Sequence, residues 1–340
     1  MKNKSLGALT AGLCAITLLL SGCANDKKIL KSTKAESTVI GSVGGFDVPM
    51  EIYRYVALNY RADYENGDPD VWLGESGQAL LVELNADVDR TVTNLYTTLA
   101  MCRDYGINAD DAYIADSVDR AMETIYDNAG RNYRSYLEGL AEYNMNDAVY
   151  RFFVRNNILA EELVSKMTEK GELPDPADMD AFRAVAESDE FVRVKQILIA
   201  FGEERTDDEV RAEAEKIKKK LDAGVDYEKL LSDEGEDVFM FSNPDGYYLS
   251  RGSYYEEFED AAFSLDVGET SGVIETPAGC SIIRRYEKEE DYIDDNLDEM
   301  FVTYRDGLYN LALEAKNEEL SVEWNEKAEK YNIFTLKASE

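Results

Sequence analysis

A chain of 340 residues without a single histidine has few chemistries open to it. Ser-His-Asp and Cys-His nucleophilic sites cannot be built, nor can zinc sites that use imidazole. Four cysteines, Cys14, Cys23, Cys102 and Cys280, are too few for a thiolate metal cluster or a disulfide scaffold, though one bridge between Cys102 and Cys280 stays open. Carboxylates are abundant, yet no Asp-x-Asp-x-Asp-Gly loop with a distant Glu occurs, so a calcium loop of the EF-hand kind is unsupported. Neither a metal nor any other cofactor is expected. What is left for polar chemistry is carboxylates, amides and hydroxyls, of which the Gln and Ser side chains both donate and accept hydrogen bonds.

Charge narrows the partners. With 36 Lys and Arg against 70 Asp and Glu, the net charge is −34. Phosphate binding needs clustered Lys and Arg, so nucleic acid is not a partner, and the acidity serves solubility. At the N-terminus, Lys2 and Lys4 precede an apolar run from Leu6 to Leu20, which is short for a membrane span and has the layout of a secretory signal. Leu20-Ser21-Gly22-Cys23 resembles the lipobox of bacterial lipoproteins. That resemblance implies a removed signal over 1–22 and a diacylated Cys23, two acyl chains being enough for stable attachment. The expected location is the extracytoplasmic face of a membrane, with 23–37 as a Lys- and Ser-rich tether.

The elements that must position any site follow in order. Val39 to Val48 reads as a strand pair, and Pro49 opens a helix with Met50, Tyr53, Val56 and Ala57 at helical spacing. Four more helical segments come next. One carries Leu80, Leu84, Val88, Val92, Leu95 and Leu99; one runs from a cap at Asn108 to about Asp127; one spans Asn132 to Leu140; one starts at Asn146 and stops at Gly171. These stripes face one another as core, with part of the Tyr-rich surface as a candidate groove for unfolded chains. Pro174-Asp175-Pro176 marks a linker, Ala177 to Ala186 one more helix, and Val192 to Ile199 a strand. Thr206 and Glu209 form a capping box for a helix bearing Val210, Ala214, Ile217 and Leu221. From Asp294 to Leu320 another helix repeats Leu297, Met300, Phe301, Tyr304, Leu308 and Leu311 on one side.

The most specific stretch is Asn243 to Tyr286. Arg251-Gly252 turns into a short helix with Phe258, Ala261, Ala262 and Phe263, and Gly268-Glu269 leads to β-branched runs at Ser271 to Glu275 and Ser281 to Arg284. This order resembles the parvulin-type peptidyl-prolyl isomerases (rotamases), in which a G-x-L-G-x-F-x-x-G-x-M turn precedes F-E-x-A-A-F-x-L and the domain ends in G-Y-H-I-I. Here the end reads Gly279-Cys280-Ser281-Ile282-Ile283. The helical regions are similar to those of PrsA- and SurA-type foldases. The fold class implied is α+β: a helical chaperone-like domain over 38–187, a parvulin-like domain with an antiparallel sheet inserted at 188–287, and a C-terminal helical segment, 288–340, returning to the first.

The resemblance also implies site residues. Gln196 and Ser281 stand at the two family histidines and Asp237 at a Cys or Asp, as the catalytic polar side. Leu249, Tyr254 and Phe258 stand at the Phe, Met and Phe positions of the proline slot, as substrate-binding residues. With both histidines replaced and a rigid Tyr254 for an adaptable Met, isomerase activity is expected to be weak or lost. The implied function is a membrane-anchored foldase or chaperone acting on unfolded or proline-containing secreted polypeptides. The alternative is a non-catalytic lipoprotein that reuses the fold to bind one extracellular partner.

Overall fold

The computed structural model describes residues 37–202, 204–334 and 336. The signal segment 1–22, Cys23 and the tether through Glu36 lie outside them. The described chain divides into two compact units, one of 37–167 with the residues from Leu313 onward, the other Thr168–Ala312.

The first unit begins with β1 (Val39–Val43) and β2 (Phe46–Pro49), an antiparallel pair turned by Gly44 and Gly45, both at positive φ. Five helices follow: α1 (Met50–Glu65), α2 (Gly74–Asp104), α3 (Ala112–Asn128), α4 (Tyr133–Glu142) and α5 (Asp147–Glu169). Ile40, Ile52, Val56, Leu84, Val92, Leu99, Leu159 and Leu163 bury their side chains as its core. The α3 cap departs from expectation. Asp111, not Asn108, accepts the Tyr113 N–H (2.9 Å), because the Asn108 side chain is engaged by the Asp110 N–H in a turn outside the helix.

The second unit opens with α6 (Met179–Glu187) and β3 (Val192–Ala200). Then come α7 (Asp207–Asp222), α8 (Tyr227–Glu234), α9 (Val238–Ser242), β4 (Tyr247–Leu249), α10 (Glu256–Ser264), β5 (Ile274–Thr276) and β6 (Gly279–Tyr286). The sheet order is β4-β3-β6-β5, every pair antiparallel. Alternation along the central strands divides two cores. Ile197, Ile199 and Ile282 meet Val210, Ala214, Ile217 and Tyr227 of α7 and α8. Val192, Val194, Leu249 and Ile283 meet Phe258 and Ala262 of α10. The α7 capping box is complete, with Thr206 and Glu209 satisfying each other's backbone N–H groups.

Helix α11 (Glu290–Glu318), kinked at Asn296, corrects another expectation. Phe301 and Tyr304, expected to face the N-terminal helices, instead meet Phe182 and Phe191 within the second unit (centroids 5.2 and 5.8 Å apart). In the first unit, Lys316 pairs with Asp104 (2.7 Å), Asn317 donates to Thr97 (2.7 Å), and β7 (Val322–Trp324) adds to β1. The architecture is α+β: helical N- and C-terminal segments with the antiparallel-sheet domain inserted between them.

Candidate functional site

The site grows from the centre of β3. Gln196 is the one polar residue on the α10 side of that strand, and it is buried among Val192, Val194 and Ile283. A buried amide must find partners. Its Oε1 accepts from the Ser281 hydroxyl on β6 (2.9 Å), and its Nε2 donates to Asp237 Oδ2 (2.6 Å). Asp237 is fixed because it caps α9, accepting the Phe239 N–H at Oδ1 (2.9 Å). The structure therefore brings Gln196, Asp237 and Ser281 into one chain of hydrogen bonds.

A fourth member has no counterpart among the residues expected from sequence. The Tyr247 hydroxyl donates to Asp237 Oδ2 (2.7 Å) and lies 3.2 Å from Gln196 Nε2, which donates to it. Aligned on Leu249 and Gly252, the turn motif has glycine at the position of Tyr247, so a tyrosine there was the available signal. Burial, with Asp237 beside it, pushes the Tyr247 phenol well above its ordinary value and keeps it a neutral donor. The ring is delivered by an Asn243-Pro244-Asp245-Gly246 turn, closed by the Gly246 N–H on the Asn243 carbonyl (3.0 Å). Gly246 sits at φ +87°, and a Cβ there would come within 2.4 Å of the Val194 carbonyl oxygen.

The apolar side is aromatic. Tyr247 stacks on Phe239 (centroids 4.5 Å, interplanar 21°) and approaches Tyr254 (5.8 Å) and Phe258 (6.5 Å). Tyr254 in turn lies 4.6 Å from Phe258. Glu259 holds this arrangement from α10: its carboxylate accepts the Tyr254 N–H (2.7 Å) and the Gly252 N–H (3.0 Å). Phe258 is 0% exposed and Leu249 4%, so as placed both are core and present no wall to a ligand. Of the three slot residues expected, only Tyr254 keeps partial access. On α9, which follows Asp237, Val238, Phe239 and Phe241 are 76%, 42% and 63% exposed and present apolar groups to solvent.

Other chemistry is sparse. Among the described residues no group of three or more carboxylates or cysteines is placed to hold a metal. Cys102 and Cys280 are both free and buried; burial, with Glu162 nearby, pushes the Cys102 thiol up to about 12, and burial raises Cys280. Neither is a nucleophile at neutral pH. In the first unit, a cleft of about 570 Å³ is bordered by Asp47, Tyr96, Arg151, Phe152 and Arg155.

Comparison with known proteins matches residues 180–289 to the PPIC-type PPIase domain. The chain carries a parvulin-type domain. It is similar to "Foldase protein PrsA" of Geobacillus kaustophilus (strain HTA426), 30% identical over 176 residues that cover 52% of this chain and 56% of the relative. "Foldase protein PrsA 2" of Bacillus anthracis is 37% identical over 79 residues, 23% of this chain and 28% of the relative. The chain thus spans little more than half the length of the first of these relatives. A crystal structure of peptidylprolyl isomerase (PrsA) from Bacillus anthracis aligns with 67% of this chain and 96% of its own, at 18% identity and a TM-score of 0.37. The parvulin-type domain comprises the whole of the β4-β3-β6-β5 sheet, and the Gln196 network lies inside it.

Proposed function

We propose that the chain is a membrane-anchored extracytoplasmic foldase that holds extended segments of secreted polypeptides, with prolyl isomerase activity weak or lost. The observation that carries the reading is the closed network of Ser281, Gln196, Asp237 and Tyr247. Rotation about a peptide bond faces a barrier of about 18–20 kcal/mol. A catalyst lowers it by binding the twisted amide better than the planar one. Twisting ends the amide resonance and leaves a lone pair on the prolyl nitrogen, so a donor aimed at that nitrogen favours the twisted form. In this network each donor proton is engaged internally: Ser281 on Gln196, Gln196 on Asp237 and Tyr247, Tyr247 on Asp237. Offering one to a substrate forfeits a hydrogen bond of about 0.5–1.5 kcal/mol.

Anchoring through Cys23 rests on the Leu20-Ser21-Gly22-Cys23 sequence and the apolar run before it. No helix among the described residues is long and apolar enough to cross a membrane. Replacing Cys23 with Ala should move the protein from the membrane to the soluble fraction; unchanged partitioning would remove the anchor.

The activity is tested by exchange measurements on a proline peptide, beside a parvulin that has both histidines. Acceleration at least tenfold below that reference is expected. A kcat/KM of about 10⁴ M⁻¹s⁻¹ or more, within the ordinary enzymatic range, would overturn the weak-activity reading. The second reading, a non-catalytic lipoprotein with one native partner, is favoured by the same aromatic filling of the slot. Binding to many unrelated unfolded chains supports the foldase; binding to a single folded partner supports the second reading.

A further inference from the structure

We infer that Tyr247 sets what the parvulin-type domain accepts: its ring occupies the space between the Gln196 network and Phe258, so the domain binds extended polypeptide without preference for proline. The inference rests on the reading of this domain as a polypeptide binder.

Three observations converge on that ring. Its hydroxyl is held at the polar edge of the site by Asp237 (2.7 Å) and Gln196 (3.2 Å). One of its faces is stacked on Phe239 at 4.5 Å, and its ring lies 6.5 Å from that of Phe258 at an interplanar angle of 73°. Tyr254 closes the remaining approach, 4.6 Å from Phe258 and 5.8 Å from Tyr247. A pyrrolidine ring has no way to reach Phe258 and the network together unless Tyr247 leaves, which breaks two hydrogen bonds and an aromatic stack at once. A peptide lying across the outer aromatic surface needs no such displacement, and that open surface has no enclosed slot to single out a pyrrolidine ring.

The test compares two unstructured peptides that differ by a single Pro→Ala change, titrated against the full chain and against Tyr247→Ala. The wild type should bind the pair within twofold of each other. Tyr247→Ala should bind the proline peptide at least fivefold more tightly than its alanine twin. Tyr247→Phe keeps the ring and should remain indifferent. A wild type that prefers proline tenfold, or a folded Tyr247→Ala that stays indifferent, overturns the inference while leaving the polypeptide-binding reading intact. If the wild type binds neither peptide, that reading fails, and the inference fails with it. Should Tyr247→Ala not fold, Tyr247→Val retains strand propensity at this β4 position, and a fluorine label on the Tyr247 ring of the wild type gives an independent signal. That resonance should respond alike to saturating proline and alanine peptides if the ring keeps its place, and a shift produced by the proline peptide alone overturns the proposal.

Discussion

Glu259 shows how one side chain can govern a site it does not belong to. Its buried carboxylate takes the N–H groups of Gly252 and Tyr254, so the loop that presents Tyr254 is fastened to α10 by charge-assisted bonds. Glu259→Ala leaves two backbone donors without that partner and should cost about 1.5–3 kcal/mol in a urea melt; a change below about 0.5 kcal/mol would show that water replaces the carboxylate. The tyrosines supply a pH test. Burial is the leading cause that raises Tyr227, Tyr247, Tyr254 and Tyr286. Their folded values lie above the unfolded phenol value of about 10, so the stability they contribute is complete below that pH and is lost as pH climbs through the folded values. Ultraviolet titration should show exposed phenols ionising first and the buried group only as the fold opens. One step for all tyrosines near pH ~10 would contradict this. Restoring the two histidine positions alone, Gln196→His with Ser281→His, should leave prolyl exchange slow while the Tyr247 and Tyr254 rings stay. Faster exchange in that double variant, read by NMR, would show that the rings do not block.

Short elements carry much of the geometry, and they were the hardest to read. The turn before β4 requires a glycine: Gly246→Ala meets both a positive φ and the Val194 carbonyl at 2.4 Å, so it should destabilise the domain by about 1–3 kcal/mol in a chemical melt. A neutral result would mean that the turn shifts freely away from β3. The long helices, the β3 strand and the Thr206 capping box were legible in the sequence because periodicity and cap chemistry repeat over many residues. Strands β4 and β7 have three residues each, too few for alternation to be seen. Gln196, Asp237 and Ser281 could be placed by family resemblance, but their hydrogen bonds to one another could not. Tyr247 escaped because its meaning lies in a contact across the site with Asp237. The stripe holding Phe301 and Tyr304 announced a burial without naming its partner, which proved to be Phe182 and Phe191.

On the scale of the molecule, the first unit is made from both ends of the described chain. Trp324 of β7 donates to Asp89 (2.8 Å) and lies edge-on to Tyr53 (5.3 Å), and Gly41 gives it room. Truncation after Leu320 should therefore quicken hydrogen exchange in β1, β2 and α1 while leaving β3 and β6 protected as before. Unchanged exchange in β1 would mean that β7 adds nothing to that sheet.

The register that sets Val43 against Val322 also fixes an order of events as the chain emerges N-terminus first. Domains fold as their residues become available, the N-terminal ones first. The Thr168–Ala312 unit is complete in sequence before Val322 exists, so it is free to fold while β1 still lacks one of its two neighbours. Through that interval the β1–β2 hairpin offers an unpaired strand edge, the kind of surface that invites pairing with other chains. A protein proposed to hold extended segments of other chains thus passes through a stage in which its own first strands would benefit from such a partner.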